Sequence, residues 1–373
     1  MTSHKRKKIV IVKSAMGQGG AERVASILLH YLDRTKYEVS LLLMKSEGEY
    51  LKSLPADVKV TSANVTSLWF FVPPILRFIK KESPDVVFSI DGGTNIPLAI
   101  ASFLSPFRKW RSVLSERNIL FPPGKSRAKR LTMVITKFLF YRFANQLTAV
   151  SEGVRKDMKK WLLVPEQKVR IVYNPMVEPS IAAQANETVD HPWFVTDRTI
   201  PVIVHAGRFV YQKDHTSLIQ AFQLLNHTVP CRLFLLGEGP LMSSIQNMIR
   251  EDLKDRVHFA GFDINPFKYF SKCDLFVLSS LHEGMPGVLI QAMACGAPSV
   301  STNCPSGPDE IIDRPGENGL LVPVKDSVAL AAAMEQVLTN PSLALKLREQ
   351  GLLAVQKFRV EEAISSYISA IER

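Results

Sequence analysis

Cysteine is scarce in this sequence, and the residues present form none of the usual cysteine motifs. There is no Cys-x-x-Cys pair, and no histidine stands at a zinc-ligand spacing from any cysteine. The pattern argues against a redox motif and against a structural metal site, and we expect reduced thiols in a cytosolic protein. The cysteines are Cys231, Cys273, Cys295 and Cys304.

Hydrophobic runs long enough to span a bilayer are also missing. A spanning helix needs about 20 apolar residues. The longest apolar stretches, residues 68–79 and 131–144, are interrupted by prolines in the first and by Lys137 and Arg142 in the second. The basic start of the chain leads into an apolar stretch, residues 9–12, that is too short for a secretion signal. We therefore expect a cytoplasmic protein with no membrane-spanning segment.

Negative charge is scarce in the first half of the chain. Residues 1–175 contain 30 Lys and Arg against 13 Asp and Glu, whereas residues 176–373 contain 16 against 22. In residues 103–142 the cations alternate with aromatic residues, a composition typical of proteins that bind an anionic membrane surface. A solvated charged face is the alternative, and a nucleic-acid surface is disfavoured because no recognition motif accompanies the charge. The cations are Arg108, Lys109, Arg111, Arg117, Lys125, Arg127, Lys129, Arg130, Lys137 and Arg142, and the aromatic residues are Phe103, Phe107, Trp110, Phe121, Phe138, Phe140 and Tyr141.

Strand-length apolar runs alternate with segments of helical spacing, and the alternation begins again after residue 199. This rhythm predicts an α/β architecture with parallel sheets, and the chain is too long for one hydrophobic core. We expect two Rossmann-like domains, residues 1–175 and 198–356, whose sheets face each other across a cleft. A proline-rich linker is predicted at 176–197, and a last helix at about 357–373 is expected to pack back on the first domain. Strands are predicted at 8–13, 38–43, 58–61, 85–90, 110–116, 146–150, 200–206, 231–236, 257–259, 275–278 and 298–301, and helices at 21–32, 128–143, 213–225, 240–253 and 286–295.

Glycines cluster in the loop after the first predicted strand, at the strand end where parallel sheets bind ligands. Gly17, Gly19 and Gly20 immediately precede a helix predicted from residue 21, whose N-terminal N–H groups could hold a phosphate. A tight turn without a ligand is the alternative, because the spacing is neither a complete Gly-x-Gly-x-x-Gly nor a P-loop.

Corresponding loops of the second domain carry cations and one carboxylate. Arg208 and Lys213 follow the first predicted strand of this domain. They suit a diphosphate, because Arg binds it as a bidentate fork and Lys as a point charge. For either residue alone, simple solvation at the surface is the alternative. Glu283 precedes a tight turn into a helix. A carboxylate at that place could bind sugar hydroxyls beside amides that bind a departing phosphate.

These segments, in their order along the chain, resemble the GT-B retaining glycosyltransferases of family 4. They are G-G-A-E-R at 19–23, A-G-R at 206–208 with Lys213, G-E-G-P at 237–240, E-G-M-P at 283–286 and A-M-A-C-G at 292–296. The resemblance spans nearly the whole chain, and the turn C-P-S-G-P-D-E-I at 304–311 is similar to members that extend lipid-linked or cell-surface glycans. It implies that Arg208 and Lys213 bind the diphosphate of a nucleotide sugar, that Glu283 contacts the donor sugar, and that residues 17–20 approach the phosphate from the other domain. Implied catalytic residues are Glu283, Arg208 and Lys213, and donor-binding residues are Gly17, Gly19, Gly20, Gly207, Arg208, Lys213, Gly237, Glu238, Phe262, Glu283, Gly284, Met285, Pro286, Gly287, Val288 and Gln291.

One position departs from the family pattern. Its E-x7-E ends here in Gln291, where a second Glu usually binds the ribose hydroxyls, so we expect weakened or altered ribose binding without loss of function. The chain contains no Asp-x-Asp, the carboxylate pair that often holds Mg²⁺ on a nucleotide sugar. We therefore expect no metal and no bound cofactor, with Arg208, Lys213 and helix N-termini neutralising the diphosphate. The resemblance further implies retention of the anomeric configuration and uridine as the base.

Polar side chains at strand ends of the first domain are candidates for the acceptor side. They are Asp91, Glu116, Arg117 and Asn118, and a structural hydrogen-bonding role is the alternative. The predicted reaction moves a hexose or N-acetylhexosamine from a UDP-sugar to a glycan or polyprenyl-linked acceptor, at the inner face of the cytoplasmic membrane, in polysaccharide or lipopolysaccharide synthesis. A nucleotide-sugar epimerase and an inactive homologue are the alternatives, and a nicotinamide dehydrogenase is disfavoured because a full dinucleotide fingerprint is missing.

Overall fold

The computed structural model describes residues 5–122, 126–195 and 199–372. They form two compact units. Residues up to Pro175 combine with the segment that begins at Glu361, and Met176–Val360 form the other unit. Lys125 of the predicted basic surface, residues 196–198 at the predicted linker and domain boundary, and the final residue of the predicted last helix lie outside the described residues.

The strands in the described part of the chain form two parallel sheets, as predicted. The first sheet has the order β3-β2-β1-β4-β5-β6-β7 and the second the order β10-β9-β8-β11-β12-β13. The strands are β1 (Lys7–Lys13), β2 (Tyr37–Leu43), β3 (Lys59–Ser62), β4 (Val86–Ser89), β5 (Arg111–Glu116), β6 (Gln146–Ala149), β7 (Val169–Ile171), β8 (Val202–Ala206), β9 (Arg232–Leu236), β10 (Val257–Gly261), β11 (Leu275–Leu278), β12 (Ser299–Thr302) and β13 (Leu320–Val322).

Helices separate most successive strands, because parallel pairing requires a crossover connection. The α-helices are α1 (Gly20–Tyr31), α2 (Val72–Glu82), α3 (Asn95–Phe103), α4 (Arg127–Phe140), α5 (Glu152–Leu162), α6 (Ile181–Ala185), α7 (Pro192–Val195), α8 (His215–Leu225), α9 (Met242–Gln246), α10 (Phe267–Phe270), α11 (Gly287–Ala294), α12 (Pro308–Ile311), α13 (Ser327–Thr339), α14 (Pro341–Ala354) and α15 (Val360–Glu372). Short 3-10 helices occupy Glu49–Ser53, Trp69–Phe71, Tyr141–Phe143, Glu166–Lys168, Tyr211–Lys213, Glu251–Arg256 and Val355–Phe358.

Both sheets reverse their strand order beside their first strand. β1 lies between β2 and β4, and β8 lies between β9 and β11. The connections from β1 and from its neighbour β4 run in opposite directions across the sheet, and the same holds for β8 and β11. A crevice therefore opens at the carboxyl ends of these strands, which is where open α/β sheets bind ligands. All five residues of β8 are buried, so this strand is a rigid base for the loop that follows it.

The predicted strands are present within two residues of their predicted ends, but two further strands were missed and one helix was predicted wrongly. β7 and β13 were missed because each is a three-residue edge strand, too short for a periodic signal. The predicted helix at 240–253 is wrong: α9 ends at Gln246, and a 3-10 helix follows from Glu251. Ser244 Oγ donates a hydrogen bond to the Leu241 carbonyl. Serine is a poor helix former because its hydroxyl competes in this way with the backbone hydrogen bonds of a helix.

Helix α15 lies against the first sheet. The Tyr367 side chain is fully buried, its ring centroid is 5.8 Å from that of Phe88 in β4, and its hydroxyl accepts a hydrogen bond from Arg117 at 2.7 Å. Near the end of the helix, Tyr37 in β2 donates to Glu372 at 2.9 Å. The last turns of the chain thus complete the core of the first unit.

Candidate functional site

A partly buried ion pair joins the loops after β8 and β11 in the second unit. Nζ of Lys213 lies 2.6 Å from Oε1 of Glu283, and the Glu283 side chain is almost fully buried. Ser280 Oγ donates to the same oxygen at 2.7 Å. A ligand in the crevice between these strands would contact both loops. The structure thus brings together two of the three residues that the sequence analysis proposed as catalytic.

Gln212, which the sequence analysis did not single out, holds the Glu283 carboxylate from its other side. Its Nε2 donates to the His282 carbonyl at 2.9 Å and to Oε2 of Glu283 at 3.3 Å. The backbone carbonyl of Gln212 accepts a hydrogen bond from the backbone N–H of Leu281 at 2.8 Å. Both carboxylate oxygens therefore receive a hydrogen bond from the protein. The available sequence signal for Gln212 was its place beside Lys213.

Glycine allows the loops after β8 and β9 to approach closely. Gly237 has a φ of +124°, and a Cβ there would collide with the carbonyl oxygen of Gly207. The N–H of Phe209 donates to the carbonyl of Glu238 at 2.9 Å, which ties the two loops together. A larger residue at position 237 would separate them, so this predicted donor-binding glycine also has a packing role.

Arg208 is exposed in the loop after β8, and no ion pair with a described residue restrains its guanidinium. Glu238, after β9, is also exposed, and Phe262, directly after β10, is half-buried. These three predicted donor-binding residues follow three adjacent strands of one sheet. Arg208 is therefore free to bind an anion at the strand ends, as a guanidinium fork does with a phosphate.

Two buried histidines lie beside the Gly207 loop. Nδ1 of His205 hydrogen bonds to the Val277 carbonyl at 2.9 Å, and the His215 ring stacks on Phe209 with centroids 4.1 Å apart. Burial lowers the pKa of His205 to about 4 and that of His215 to about 2. Both rings are therefore neutral near pH 7, and the positive charge of this region belongs to the lysine and arginine side chains.

The turn before α11 packs against the turn before α12. Ser306 Oγ donates to the Gly284 carbonyl at 2.9 Å, and the N–H of Glu283 donates to the Pro305 carbonyl at 3.3 Å. Gly307 has a φ of +100°, and a Cβ there would lie 2.7 Å from Cδ of Pro286. The turn at 304–311 thus supports the turn that carries the catalytic candidate Glu283.

Helix α11 starts at Gly287 without a side-chain cap from the described residues. The N–H groups of Gly287 and Val288 are therefore available to an anion. Met285, before the helix, is buried, and Gln291, one turn into it, is buried with Nε2 3.8 Å from Sδ of Met176. The amide side chain of position 291 thus lies one turn from the uncapped N-terminus of α11.

The first unit carries a cluster of one lysine and two carboxylates at its own strand-order reversal. Lys13, at the end of β1, lies 2.8 Å from Glu22 and 3.3 Å from Asp91, and its side chain is almost fully buried. Burial alone would raise the pKa of Asp91, but the Lys13 ammonium and the N–H groups of Thr94 and Ser14 lower that pKa below its ordinary value. Asp91 is therefore an ionised carboxylate held at the loop after β4.

The glycine-rich loop contacts the Lys13 cluster at Gly19, whereas Gly17 and Gly20 face open space. A Cβ at Gly19 would collide with the carboxylate of Glu22, whereas a Cβ at Gly17 or Gly20 would contact nothing within 4 Å. Gly19 thus lets the carboxylate fold back beside the start of α1. Gly17 and Gly20 have no packing requirement of this kind, so their open surface is where another molecule could approach the backbone.

The other acceptor-side candidates are engaged with the protein itself. Glu116 is buried, 2.7 Å from Nζ of Lys137, and accepts a hydrogen bond from Tyr141 at 2.8 Å. Burial beside this carboxylate raises the pKa of Tyr141. Arg117 donates to Tyr367 and to Asn174 Oδ1, each at 2.7 Å, and Asn118 Oδ1 accepts from the next residue's N–H at 2.8 Å. Among the four candidates, Asp91 is the one at the strand-order reversal.

Helix α4 exposes apolar side chains beside its cations. Leu131, Ile135 and Leu139 recur every four residues along one side of the helix and are each about half exposed. At the amino edge of the sheet, Phe103 contacts Phe143 with ring centroids 4.8 Å apart, and Phe107 is 97% exposed. Several exposed apolar side chains on one helix and on the segments beside it are typical of a binding surface.

The described part of the chain contains neither a helix that could span a membrane nor a group of side chains that could hold a metal ion. No helix in ranges 5–122, 126–195 and 199–372 is both long enough and apolar enough to span a bilayer. Within the same ranges, no three His, Cys, Asp or Glu side chains are grouped so that they could hold a metal ion.

Comparison with known proteins places both units in the same enzyme class. Residues 18–176 match the model for Glycosyltransferase Family 4, and residues 200–340 match the model for Glycosyl transferases group 1. A similar relative is the N-acetylgalactosamine-N,N'-diacetylbacillosaminyl-diphospho-undecaprenol 4-alpha-N-acetylgalactosaminyltransferase of Campylobacter jejuni, 29% identical over 90% of this chain and 91% of that protein. The lipopolysaccharide core biosynthesis glycosyltransferase LpsE of Rhizobium meliloti is 26% identical over 95% of this chain and 96% of its own length.

A solved structure shows the same fold. Anabaena HepE, crystallised with UDP and glucose, superposes with a TM-score of 0.80 at 21% identity, over 98% of this chain and 99% of that chain. The two sheets with interleaved helices are therefore the GT-B fold that the resemblance implied.

Proposed function

Because this chain belongs to the family 4 glycosyltransferases and has their GT-B fold, we propose that it transfers a hexose or N-acetylhexosamine from a UDP-sugar to a glycan or polyprenyl-linked acceptor, with retention of the anomeric configuration. The observation that carries the proposal is the Lys213–Glu283 pair, with Arg208 unpaired in the same loop, at the carboxyl ends of β8 and β11. HepE, which shares the fold, was crystallised with UDP and glucose, and this supports a nucleotide-sugar donor.

In the proposed mechanism the protein stabilises the leaving diphosphate with its own charges. Arg208 binds it as a fork, Lys213 places an ammonium beside it, and the N–H groups of Gly287 and Val288 add the partial positive charge of a helix N-terminus. These groups carry the charge that develops as the bond between the anomeric carbon and the phosphate oxygen breaks. The proposal needs no metal and no resident cofactor.

Glu283 binds the donor sugar in this mechanism. Its two oxygens are fixed by Lys213, Ser280 and Gln212, and its remaining lone pairs can accept hydrogen bonds from sugar hydroxyls. The acceptor hydroxyl attacks the anomeric carbon from the face that the phosphate leaves. The new carbon–oxygen bond forms as the old one breaks, the bonding pair goes to the diphosphate, and the hydroxyl proton passes to a phosphate oxygen.

We propose that the acceptor lies at the inner face of the cytoplasmic membrane and that the first unit binds there through α4. The apolar row Leu131, Ile135 and Leu139 would enter the interface, and the neighbouring cations would meet anionic headgroups. The names of two relatives, one acting on an undecaprenol diphosphate and the other in lipopolysaccharide synthesis, support a membrane-linked acceptor. An epimerase would have no use for this surface.

Thermal stabilisation of the purified chain tests the donor site. UDP, GDP, ADP and their sugars are compared on the wild type, on Arg208→Ala and on the surface control Lys346→Ala. A ligand at 100 times its Kd adds about 2.7 kcal/mol to stability. We expect UDP to raise the Tm of the wild type and of the control but to have little effect on Arg208→Ala. If no nucleotide shifts the wild type, or if Arg208→Ala responds equally, the proposal fails.

Incubation of the donor without an acceptor separates transfer from epimerisation. A transferase leaves the sugar of the donor unchanged or hydrolyses it slowly, whereas an epimerase converts it to a second sugar. Analysis of the recovered sugar therefore distinguishes the two activities. Appearance of an epimer would replace the proposed reaction.

A further inference from the structure

A cavity of about 280 Å³ opens in the first unit where α4 and α5 end. Tyr141, Leu147 and Leu162, each almost fully buried, form its floor. Arg142 and Lys168, both exposed, line its mouth. The cavity lies at the amino ends of β6 and β7, the sheet edge opposite to Asp91 and the other loops proposed to act on substrates. The transfer reaction therefore leaves it without a role.

The lining of the cavity is amphipathic. Its least exposed lining residues are aliphatic and aromatic, with Phe138, Leu147 and Leu162 on different elements. The polar lining residues Arg142, Asn145 and Lys168 are exposed. The guanidinium of Arg142 stacks over the Phe138 ring at 5.0 Å, which leaves it at the surface. An occupant must therefore combine an apolar segment with an anionic group, because the apolar floor excludes a free phosphate and the cations favour negative charge.

Leu163, on the rim, has an unusual conformation and environment. It follows α5 with a φ of +51°, in the left-handed region that glycine normally occupies at a helix end, and its side chain is 74% exposed. A bulky residue strained in this way is a reason to look for function. A leucine that projects into an acyl phase beside the cavity mouth would recover favourable burial that it lacks in water.

The cavity also adjoins the exposed apolar surface of α4. Phe138 and Arg142, on its lining, lie next to Leu139 and Phe143, which are exposed on that surface. A lipid at the cavity mouth would therefore be a neighbour of lipids that contact α4. This continuity favours a membrane phospholipid as the occupant over a water-soluble metabolite.

We propose that this cavity binds one acyl chain of an anionic phospholipid, with the chain on Tyr141, Leu147 and Leu162 and the phosphate at Arg142 and Lys168. The inference rests on the proposed membrane contact and adds a defined single-lipid site to it. The cavity has room for a segment of one chain, so the expected stoichiometry is one lipid per protein.

Binding of dodecyl phosphate, a single-chain anionic amphiphile, to the full chain tests the site below the micelle concentration by isothermal titration. We expect saturable binding of one molecule. Ala144→Trp should lower the affinity at least tenfold, because Ala144 lines the cavity and an indole there would fill it. Leu163→Gly should lower the affinity and raise the Tm, because it removes the left-handed strain. Leu131→Ser, on α4 but outside the cavity, should bind dodecyl phosphate like the wild type.

The outcomes separate this inference from the proposed function. Non-saturable binding, an equal affinity in Ala144→Trp that still responds to UDP, or equal binding of uncharged dodecanol would overturn the cavity site. If the wild type transfers sugar and binds anionic phosphatidylglycerol vesicles but not dodecyl phosphate, the cavity site is wrong while the proposed function stands. If it neither binds those vesicles nor transfers sugar, the proposed function itself is wrong.

Discussion

At the scale of single residues, Gln212 acts on the proposed chemistry through Glu283. We predict that Gln212→Glu lowers kcat/KM for transfer by roughly 10- to 100-fold, equivalent to about 1.4–2.7 kcal/mol. The change keeps the shape of the side chain but places a second carboxylate beside Oε2 of Glu283, where like charges repel. The defect should diminish as the pH falls from about 8 to about 5, because a protonated carboxyl can donate as the amide does.

Steady-state kinetics across this pH range measure the effect. Gln223→Glu on α8 is the matched control, since Gln223 uses its oxygen to accept from the Arg250 N–H and a carboxylate can do the same. A loss in Gln212→Glu that is equal at every pH would show that Gln212 has only a packing role.

Gln291 stands where the family has a carboxylate, and a glutamate at this position should have opposite effects on stability and on UDP affinity. We predict that Gln291→Glu lowers the Tm of the unliganded protein, because position 291 is buried and a charge there loses hydration. UDP should bind roughly 3- to 10-fold more tightly, because hydrogen bonds from ribose hydroxyls to an ionised acceptor are stronger. Calorimetric titration with UDP and thermal unfolding check both effects, and weaker UDP binding by the variant would contradict the assignment.

At the scale of elements, α4 makes the proposed membrane contact. We predict that Leu139→Ser lowers the affinity for anionic phospholipid vesicles about fivefold or more, because a serine cannot enter the apolar layer. The side chain is 48% exposed, so the free energy of unfolding should change by no more than about 0.5 kcal/mol. Vesicle co-sedimentation at low and high salt measures the binding.

The matched control for this element is Leu345→Ser on α14 of the second unit, where the leucine is 55% exposed. It makes the same chemical change on a helix with no proposed lipid contact. Equal losses in the two variants would mean that general surface hydrophobicity, and not α4, determines binding.

At the scale of the whole molecule, stability should fall in mild acid. The pKa values of His205 and His215 are lowered from 6.5 to about 4 and about 2, so the unfolded chain binds protons that the native chain does not. Stability is therefore full above about pH 6.5 and falls by about 1.4 kcal/mol per pH unit for each histidine as the pH drops toward 4. The pKa of Asp91 is lowered from 3.8, so protonation of this carboxylate reduces the stability further only below about pH 4.

Thermal unfolding at several pH values measures this dependence, and His215→Leu is the informative variant. Leucine retains the apolar contact with Phe209 but does not titrate, so the variant's Tm should fall less steeply between pH 6.5 and 4. An unchanged slope would mean that His215 binds its proton as readily in the native protein as in the unfolded chain.

The sequence predicted the sheets well because buried parallel strands are continuous apolar runs, as in residues 9–12 of β1. It placed Arg208, Lys213 and Glu283 at strand ends for the same reason. It could not foresee Gln212, whose contacts join loops 70 positions apart, or the burial of Lys13 and Lys137, since a lysine in a sequence pattern indicates surface. Glu116 was expected toward a ligand, but its ion pair with Lys137 depends on a side chain 21 residues away.

The position of α15 has a consequence for how the protein is made. The helix buries Tyr367 and Ile371 in the first unit, yet it leaves the ribosome after all of Met176–Val360. At synthesis rates of about 5–20 residues per second, the first unit waits roughly 10–40 s for its last helix. During that interval the surface beside Phe88 is uncovered, so the nascent chain offers a site for chaperones, and a protein truncated before Glu361 would keep that surface exposed permanently.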